Sequence, residues 1–486
     1  MANNVQFIAD FFKEREIMKL HYLFFIAIVI SCAKDPKVES DDILDSSRAN
    51  VRSNLNNQYH YPDFVIHNAN IITMDENASI QEAIAIKGTQ IIAVGFNKEI
   101  LKLAKPRKVR DNKPKIVNAK GLTIMPGIVD AHTHLFNSLD PIDGQQIALE
   151  NGMTTLGNLH ITQDDIRTLR TMEQKGILKV KLSLYLRKNG NCGDLFDDWY
   201  LDFPPTRNFG EKLRIGGVKI FADGGSCLGP AVSVERIPGQ GLGKLFFDSQ
   251  EKLNEVVVNA NDAGYQVAIH AIGDRGIEQA LNAIEKALDG GPNTLRHRIE
   301  HNGVLRPDLI PRYGELDVVA TIFGYKRTCW LPDPIPVFYQ ESENAYRTLI
   351  QSNPNLHVAW HGDDPAVEPV NPFVEMFSLV TRIDVISPGG PCAPPDWLAK
   401  QALPVKTVLH LMTMGAAYAL DRESEVGSLE PGKFADLIAI SADPLATDPN
   451  DIKDIKVLMT MINGQVVHVS NEPRQDIRWR LDSAFD

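Results

Sequence analysis

Cysteine is scarce in this chain. Cys32, Cys192, Cys227, Cys329 and Cys392 are the only five in 486 residues. No two form a CxxC pair, which excludes zinc-ribbon and thioredoxin-like signatures. With Cys32 assigned to a leader, the other four are too dispersed to read as a disulfide framework, and buried or unpaired thiols are expected. Positive charge is also short: 50 Lys+Arg against 62 Asp+Glu give a formal net charge of −12. That balance argues against a nucleic-acid partner, which attracts Lys/Arg-rich faces. Long hydrophobic runs are absent beyond Leu20–Ile30 (LHYLFFIAIVI), itself shorter than the roughly 20 residues that span a bilayer. What is present is 43% hydrophobic and 23% charged, the composition of a globular protein. The length exceeds one typical domain and fits a large barrel with a smaller module.

The apolar run has the flanks of a secretory leader: Lys19 before it, Ser31-Cys32 after it. Val29-Ile30-Ser31-Cys32 resembles a bacterial lipobox, whose cysteine thiol is acylated and becomes the new first residue. Residues 1–32 are therefore expected to be a lipoprotein-type leader, with Met18 the more natural start, Cys32 the lipidation site and residues 1–17 upstream of the true start; an uncut hydrophobic anchor is the alternative. Residues 33–61, enriched in Asp, Ser and Asn, read as a flexible tether. The expected location is the bacterial cell envelope, on the periplasmic or surface side, with a lipid anchor as the only membrane contact.

Both ends of the remaining chain carry strand signals. Phe64–Ala69, Ala83–Lys87 and Ile91–Val94 are β-branched runs divided by turn residues, and Ala435–Ile440 and Val457–Ile462 repeat the pattern. Asn463-Gly464 between apolar runs is a strong hairpin signal. The middle instead alternates short apolar strands with helical periodicity, clearest in Gln250–Ala263 and Ile277–Leu288. Eight strands are expected: Ile128–His132, Thr154–Leu159, Val180–Leu186, Val218–Ala222, Gln266–Ala271, His297–His301, Val318–Phe323 and Leu356–Trp360. Eight βα units fit an α/β fold with a (β/α)8 barrel at residues 124–425. A doubly wound open sheet is the alternative, lowered by the lack of GxGxxG after the first strand. Residues 471–486 form a tail.

Four of the 13 histidines fall at expected strand ends, the edge of a barrel where catalytic residues collect. His132 and His134, in PGIVDAHTH (Pro126–His134), share one side of a strand because side chains repeat every two residues. His270 and His301 end the fifth and sixth strands. Together they suit a divalent metal such as Zn, Ni or Fe. Asp363 and Asp364 follow the eighth strand, and one of them is placed to hold a water at the metal and take its proton. Lys219, flanked by Val218 and Ile220, is either a snorkelling edge residue or a buried amine able to form a carbamate with CO2. Phe221, Tyr325, Trp199 and Trp330 lie in expected loops above the barrel and are candidate pocket aromatics; Asp274 and Arg275 are expected to fix the His270 loop, with Asp274 a candidate substrate contact. Arg298 reads as structural.

These pieces resemble the metal-dependent amidohydrolase superfamily over roughly residues 62–468. The resemblance rests on PGIVDAHTH (Pro126–His134), IHAIGDRGIEQALNAIE (Ile269–Glu285), RHRIEHNGVL (Arg296–Leu305), EPVNPF (Glu368–Phe373) and GSLEPGKFADLIAI (Gly427–Ile440). They look like the amidohydrolase-3 branch, which includes N-substituted formamide deformylases. The resemblance implies a distorted TIM barrel and a β-sandwich that pairs residues 62–123 with 426–470. It carries metal-ligand roles onto His132, His134, His270 and His301, and matches Lys219 to a bridging carbamate lysine. Gly362-Asp363-Asp364-Pro365 aligned on the family pattern puts the metal-binding general base at Asp364 and Asp363 on a Ser/Thr position. Three departures surround the pocket: a short connection after the first strand, Phe323-Gly324-Tyr325-Lys326-Arg327 where relatives often show Gln-Pro, and Pro365-Ala366 in reversed order.

The expected activity is hydrolysis of a non-peptide C–N bond, amide or N-formyl, in a small-molecule substrate. The expected cofactor is one or two divalent metals per chain, zinc first, with Lys219 carboxylated if there are two. A mononuclear deaminase or cyclic-amide hydrolase, and an inactive ligand-binding lipoprotein, are the alternatives. Nothing in the sequence speaks to oligomeric state.

Overall fold

The computed structural model describes residues 61–105, 113–225, 227–324, 328–366 and 370–470. The leader with Cys32, nearly all of the tether, Tyr325, Glu368 and the tail lie outside the described residues. Among the described residues no helix is long and apolar enough to cross a membrane.

The centre is a parallel sheet of β8 (Ile128–Thr133), β9 (Met153–Ile161), β10 (Lys181–Arg187), β11 (Leu213–Phe221), β12 (Gln266–Ala271), β13 (Arg298–His301), β14 (Val319–Ile322) and β15 (Val358–Trp360), each paired with the next in chain order. This is a nearly closed (β/α)8 barrel. The seam between β15 and β8 is sewn by the chain just beyond β15. Gly362 N donates to Asp130 Oδ1 (3.1 Å), Asp363 N to the His132 carbonyl (2.9 Å), and His134 N to the Asp364 carbonyl (2.6 Å).

Sequence explains these strands directly. All six residues of β12 are buried, as parallel strands covered on both faces require. All eight expected strands are present. The largest difference is β11, which starts at Leu213 because Leu213–Ile215 already pairs with Leu182–Leu184 of β10. The helix Gln250–Asp262 opens on Ser249, whose side chain accepts from Lys252 N. The helix Asp274–Leu288 buries Ile277, Leu281 and Ile284 against the barrel, the i, i+4, i+7 stripe of an amphipathic helix.

Two further sheets flank the barrel. Phe64–His67 (β1), Ala83–Lys87 (β4), Gln90–Gly95 (β5) and Lys115–Asn118 (β6) form one, in the order β5-β4-β1-β6. Asn70–Ile72 (β2), Ile80–Gln81 (β3), Thr123–Pro126 (β7), Leu437–Ile440 (β16), Val457–Ile462 (β17) and Gln465–Val469 (β18) form the other, in the order β18-β17-β16-β7-β2-β3. Early and late strands meet where β7 pairs with β16, Pro126 opposite Leu437. Ile66, Ile84, Ile124, Leu437 and Met461, drawn from both sheets, share one apolar cluster. The β17–β18 turn uses Asn463 (φ 52°) and Gly464 (φ 72°), the paired left-handed residues of a type I′ hairpin.

The cysteine expectation is corrected. Cys192 is bonded to Cys227, and Cys329 to Cys392. The partners are 35 and 63 residues apart in sequence, so spacing conceals them. Cys192 and Cys227 lie on loops leaving the neighbouring strands β10 and β11, whereas Cys329 follows β14 and Cys392 follows the helix Pro372–Thr381.

Candidate metal centre

β8 delivers two imidazoles to the barrel mouth. His132 Nδ1 lies 2.8 Å from Glu300 Oε2, and a carboxylate can only accept, so Nδ1 donates and Nε2 keeps its lone pair. His134 Nδ1 donates to the Leu159 carbonyl (3.1 Å), with the same result. The two Nε2 atoms stand 3.1 Å apart, and Asp363 Oδ1 lies 3.3 Å from one and 3.4 Å from the other. Three acceptor atoms thus converge on one point. Burial, then the neighbouring Lys219, hold His132 well below the ordinary imidazole range, so the ring stays neutral and Nε2 keeps its lone pair. The outer support is layered. Glu300 also accepts from Thr321 Oγ1 (3.0 Å) and pairs with Arg298 Nε (2.9 Å), whose guanidinium donates to the Ala131 carbonyl (2.9 Å). Arg298 is buried within this network.

A second cluster shares His132. The rings of His132, His301 and His361 lie 4.9 to 5.0 Å apart, and one nitrogen from each falls within a common reach. His301 Nε2 and both nitrogens of His361 are buried without a hydrogen-bond partner. Burial pushes His361 and His270 down to about 3. His270 packs 4.4 Å from the His301 ring, and its Nε2 is 3.3 Å from the Gly224 carbonyl. Lys219 is fully buried, its Nζ has no hydrogen-bond partner, and burial pushes it down to about 8. A buried unsatisfied group costs about 1–3 kcal/mol, and here several adjoin. Imidazoles, a carboxylate and a buried amine are the donor chemistry of a Zn-, Ni- or Fe-type ion, so the orphaned atoms fit a divalent metal.

The acid beside the histidines is Asp363, one residue before the expected Asp364. The turn after β15 explains the shift. Asp363 adopts a left-handed φ of 59°, and Asp364 turns its backbone to β8, accepting from His134 N and Thr133 Oγ1 through its carbonyl. The carboxylates of Asp364 and Asp130 instead flank Gly362. Burial raises both well above the carboxylate range, helped at Asp364 by the charge of Asp130 and at both by those of Glu375 and Asp363. Asp274, the candidate substrate contact, lies at the start of its helix. It is buried, with one oxygen accepting from Ser233 N (2.9 Å) and the other from Arg306 (3.1 Å). Phe221 lines the inner wall, 4.6 Å from Lys219 Nζ, 4.8 Å from the His270 ring and 5.5 Å from the His160 ring. Trp199 packs against Phe203.

Sequence reasoning missed Glu300 and His361. Strand alternation sends Glu300 and His301 to opposite faces, yet both approach His132, because a φ of 76° at His301 breaks the alternation. His361 gave a signal in being the fifth histidine at a strand end, hidden beside two aspartates.

Comparison with known proteins agrees with this geometry. Residues 144–468 match the model of the amidohydrolase family. YtcJ of Bacillus subtilis is 31% identical over 266 residues, 53% of this chain and 48% of that protein. The N-substituted formamide deformylase of Arthrobacter pascens is 26% identical over 262 residues, 52% of this chain and 45% of that protein. The chain thus spans about half the length of these relatives. A metal-dependent hydrolase from Pyrococcus horikoshii superposes with a TM-score of 0.66 at 19% identity, over 79% of this chain and 99% of that one, a likeness of fold. The match over residues 144–468, on a barrel with this donor set at its mouth, shows that the chain belongs to the amidohydrolase family.

Proposed function

We propose that the chain is a metal-dependent hydrolase of non-peptide C–N bonds, of the amide or N-formyl type, in small molecules. The observation that carries this reading is the convergence of His132 Nε2, His134 Nε2 and Asp363 Oδ1 on one point. His132, His134 and Asp363 would hold one ion; His301, His270, His361 and a carboxylated Lys219 would hold a second, zinc being the first choice. A divalent ion bound there lowers the pKa of water and polarises a carbonyl.

The chain's own residues do the rest. Glu300 and the Leu159 carbonyl fix the two imidazole tautomers. Asp363 accepts the proton of the attacking water at Oδ1 and returns it to the departing amine nitrogen. Burial opposes ionisation of that carboxyl, but its neighbours, His134 first and then His361 and Lys219, hold it below its ordinary range, so it starts ionised. Phe221 excludes bulk water from the inner wall. The products are a carboxylate, formate for an N-formyl substrate, and an amine.

The two disulfides support folding in an oxidising compartment, in keeping with the proposed lipid-anchored, extracytoplasmic location. The deformylase relative supports the bond type. A 5'-deoxyadenosine deaminase of Methanosarcina acetivorans, 22% identical across 83% of this chain, supports the alternative of ring deamination. The test is a product screen of zinc- and cobalt-loaded protein against N-formyl amines, amides and aminopurines. Formate or carboxylate with free amine is expected. Ammonia from ring substrates alone would favour the deaminase reading, and a fully loaded protein inert to the whole panel would leave a binding protein.

A further inference from the structure

Among its described residues, the connection from β11 to the helix Gln250–Asp262, residues 222–249, has no helix or strand, only an isolated antiparallel bridge between Asp223 and Leu245. Connections of that length in a compact domain are uncommon and tend to be functional. Its first turn lies against His270. The Gly224 carbonyl accepts from His270 Nε2 at 3.3 Å. A methyl group on Gly225 would stand 2.8 Å from Ile272 Cδ1 and 3.0 Å and 3.1 Å from Cε1 and Nε2 of the same His270 ring. Bare backbone therefore forms one wall of the slot that holds this imidazole, and the ring's orientation depends on where that backbone sits.

The long connection has braces of its own, Phe246 N donating to the Ala222 carbonyl (2.8 Å) and the Asp223 carboxylate accepting from Ala231 N (3.0 Å) and Gly273 N (2.8 Å); the loop leaving β10 is shorter. Residues 188–196 close on themselves: Phe196 N donates to the Lys188 carbonyl (2.9 Å), Gly190 N to the Asp194 carbonyl (2.8 Å) and Gly193 N to the Gly190 carbonyl (2.9 Å). The hairpin is fixed to the end of β11 by Asn189, which donates to the Phe221 carbonyl (2.9 Å) and accepts from Phe221 N (2.8 Å). Cys192 sits at its tip. Cys227 lies two residues beyond Gly225, and the disulfide brings their Cα atoms to 5.3 Å. A long loop is thus bonded to a short, self-braced one at the point where the long loop touches His270.

We infer that the Cys192–Cys227 disulfide is a positioning device for His270. It holds the Gly224-Gly225 backbone against the imidazole and keeps Nε2 donating to the Gly224 carbonyl, which leaves Nδ1 as the lone-pair nitrogen. The partner that fixes a ligand's tautomer sets its metal affinity. The inference rests on the reading of His270 as a metal ligand. The second disulfide joins different loops, after β14 and after the helix Pro372–Thr381, and serves as the control.

The test is the metal content and affinity of full-length C192S/C227S and C329S/C392S proteins, read by chelator competition with zinc and cobalt, with circular dichroism to show that each is folded. C192S/C227S is expected to bind the His270-linked ion about 10- to 100-fold more weakly and to alter the cobalt absorption spectrum, while C329S/C392S binds as wild type. Gly225→Ala, with the disulfide intact, is expected to give the same loss by pushing on the ring, and it keeps the test open if the serine variant does not fold. On an H270A background neither change should weaken binding further. Wild-type affinity and spectrum in C192S/C227S, or in Gly225→Ala should that pair not fold, overturn the positioning role while leaving the metal reading standing. A wild-type protein that takes up no metal overturns both.

Discussion

Glu300 Oε2 reaches His132 Nδ1 at 2.8 Å, with both side chains buried. The contact crosses the barrel mouth from β13 to β8 and chooses which His132 nitrogen faces the site. Glu300→Gln removes the carboxylate charge but keeps the shape. It is expected to weaken metal binding about 10- to 100-fold, measured by chelator competition on folded protein. An affinity equal to wild type would show that Glu300 serves only to neutralise Arg298.

Asp363 and Asp364 differ by one position and are assigned different work. Asp363→Asn is expected to lower kcat about 10²- to 10⁴-fold, the usual worth of a general base. Asp364→Asn keeps its carbonyl bonds to His134 and Thr133 and should retain most of the rate. Steady-state kinetics at equal metal content separates the two, and the opposite ranking would return the base to Asp364.

Much of this was legible in advance, and the exceptions share a cause. The eight strands could be read because each is a short apolar run, and the β17–β18 turn because Asn463-Gly464 suits two left-handed residues. His132 and His134 could be read because strand periodicity places them on one face. What was hidden depends on backbone leaving its regular path. Asp363 and His301 take left-handed φ angles, which moves the acid by one residue and lets His301 approach His132 alongside Glu300. The Cys192–Cys227 disulfide was hidden because its pairing follows from adjacent strand order, with Cys192 after β10 and Cys227 after β11. Spacing along the chain carries no trace of that order.

Lys219 sets a pH dependence. Burial pushes its amine down to about 8, so the neutral form grows as pH rises through that value. Only the neutral amine attacks CO2, forming a carbamate and releasing one proton. Uptake of the second ion should therefore increase with pH up to and past about 8 and with added bicarbonate. Lys219→Ala should hold about one ion per chain, whatever the bicarbonate. Metal analysis of dialysed protein at several pH values reads this; a wild-type stoichiometry indifferent to pH and bicarbonate would reject the carbamate.

Lys181 offers a test of what joins barrel to flanking sheet. Its Nζ, at the start of β10, lies 2.6 Å from Asp436 Oδ2 and 2.8 Å from Asn463 Oδ1, and both charged side chains are buried. Asp436 immediately precedes β16, so one ion pair spans the two layers. Lys181→Ala leaves a buried carboxylate without its cation and should cost about 3–5 kcal/mol, seen as a lower denaturant midpoint. Pairing Lys181→Met with Asp436→Leu removes both charges and should recover much of that loss, since an apolar pair of similar volume often matches a buried ion pair. If the double variant were no better than Lys181→Ala, the junction would depend on the Asp436 hydrogen bond to Asn463 N (2.8 Å) rather than on charge balance.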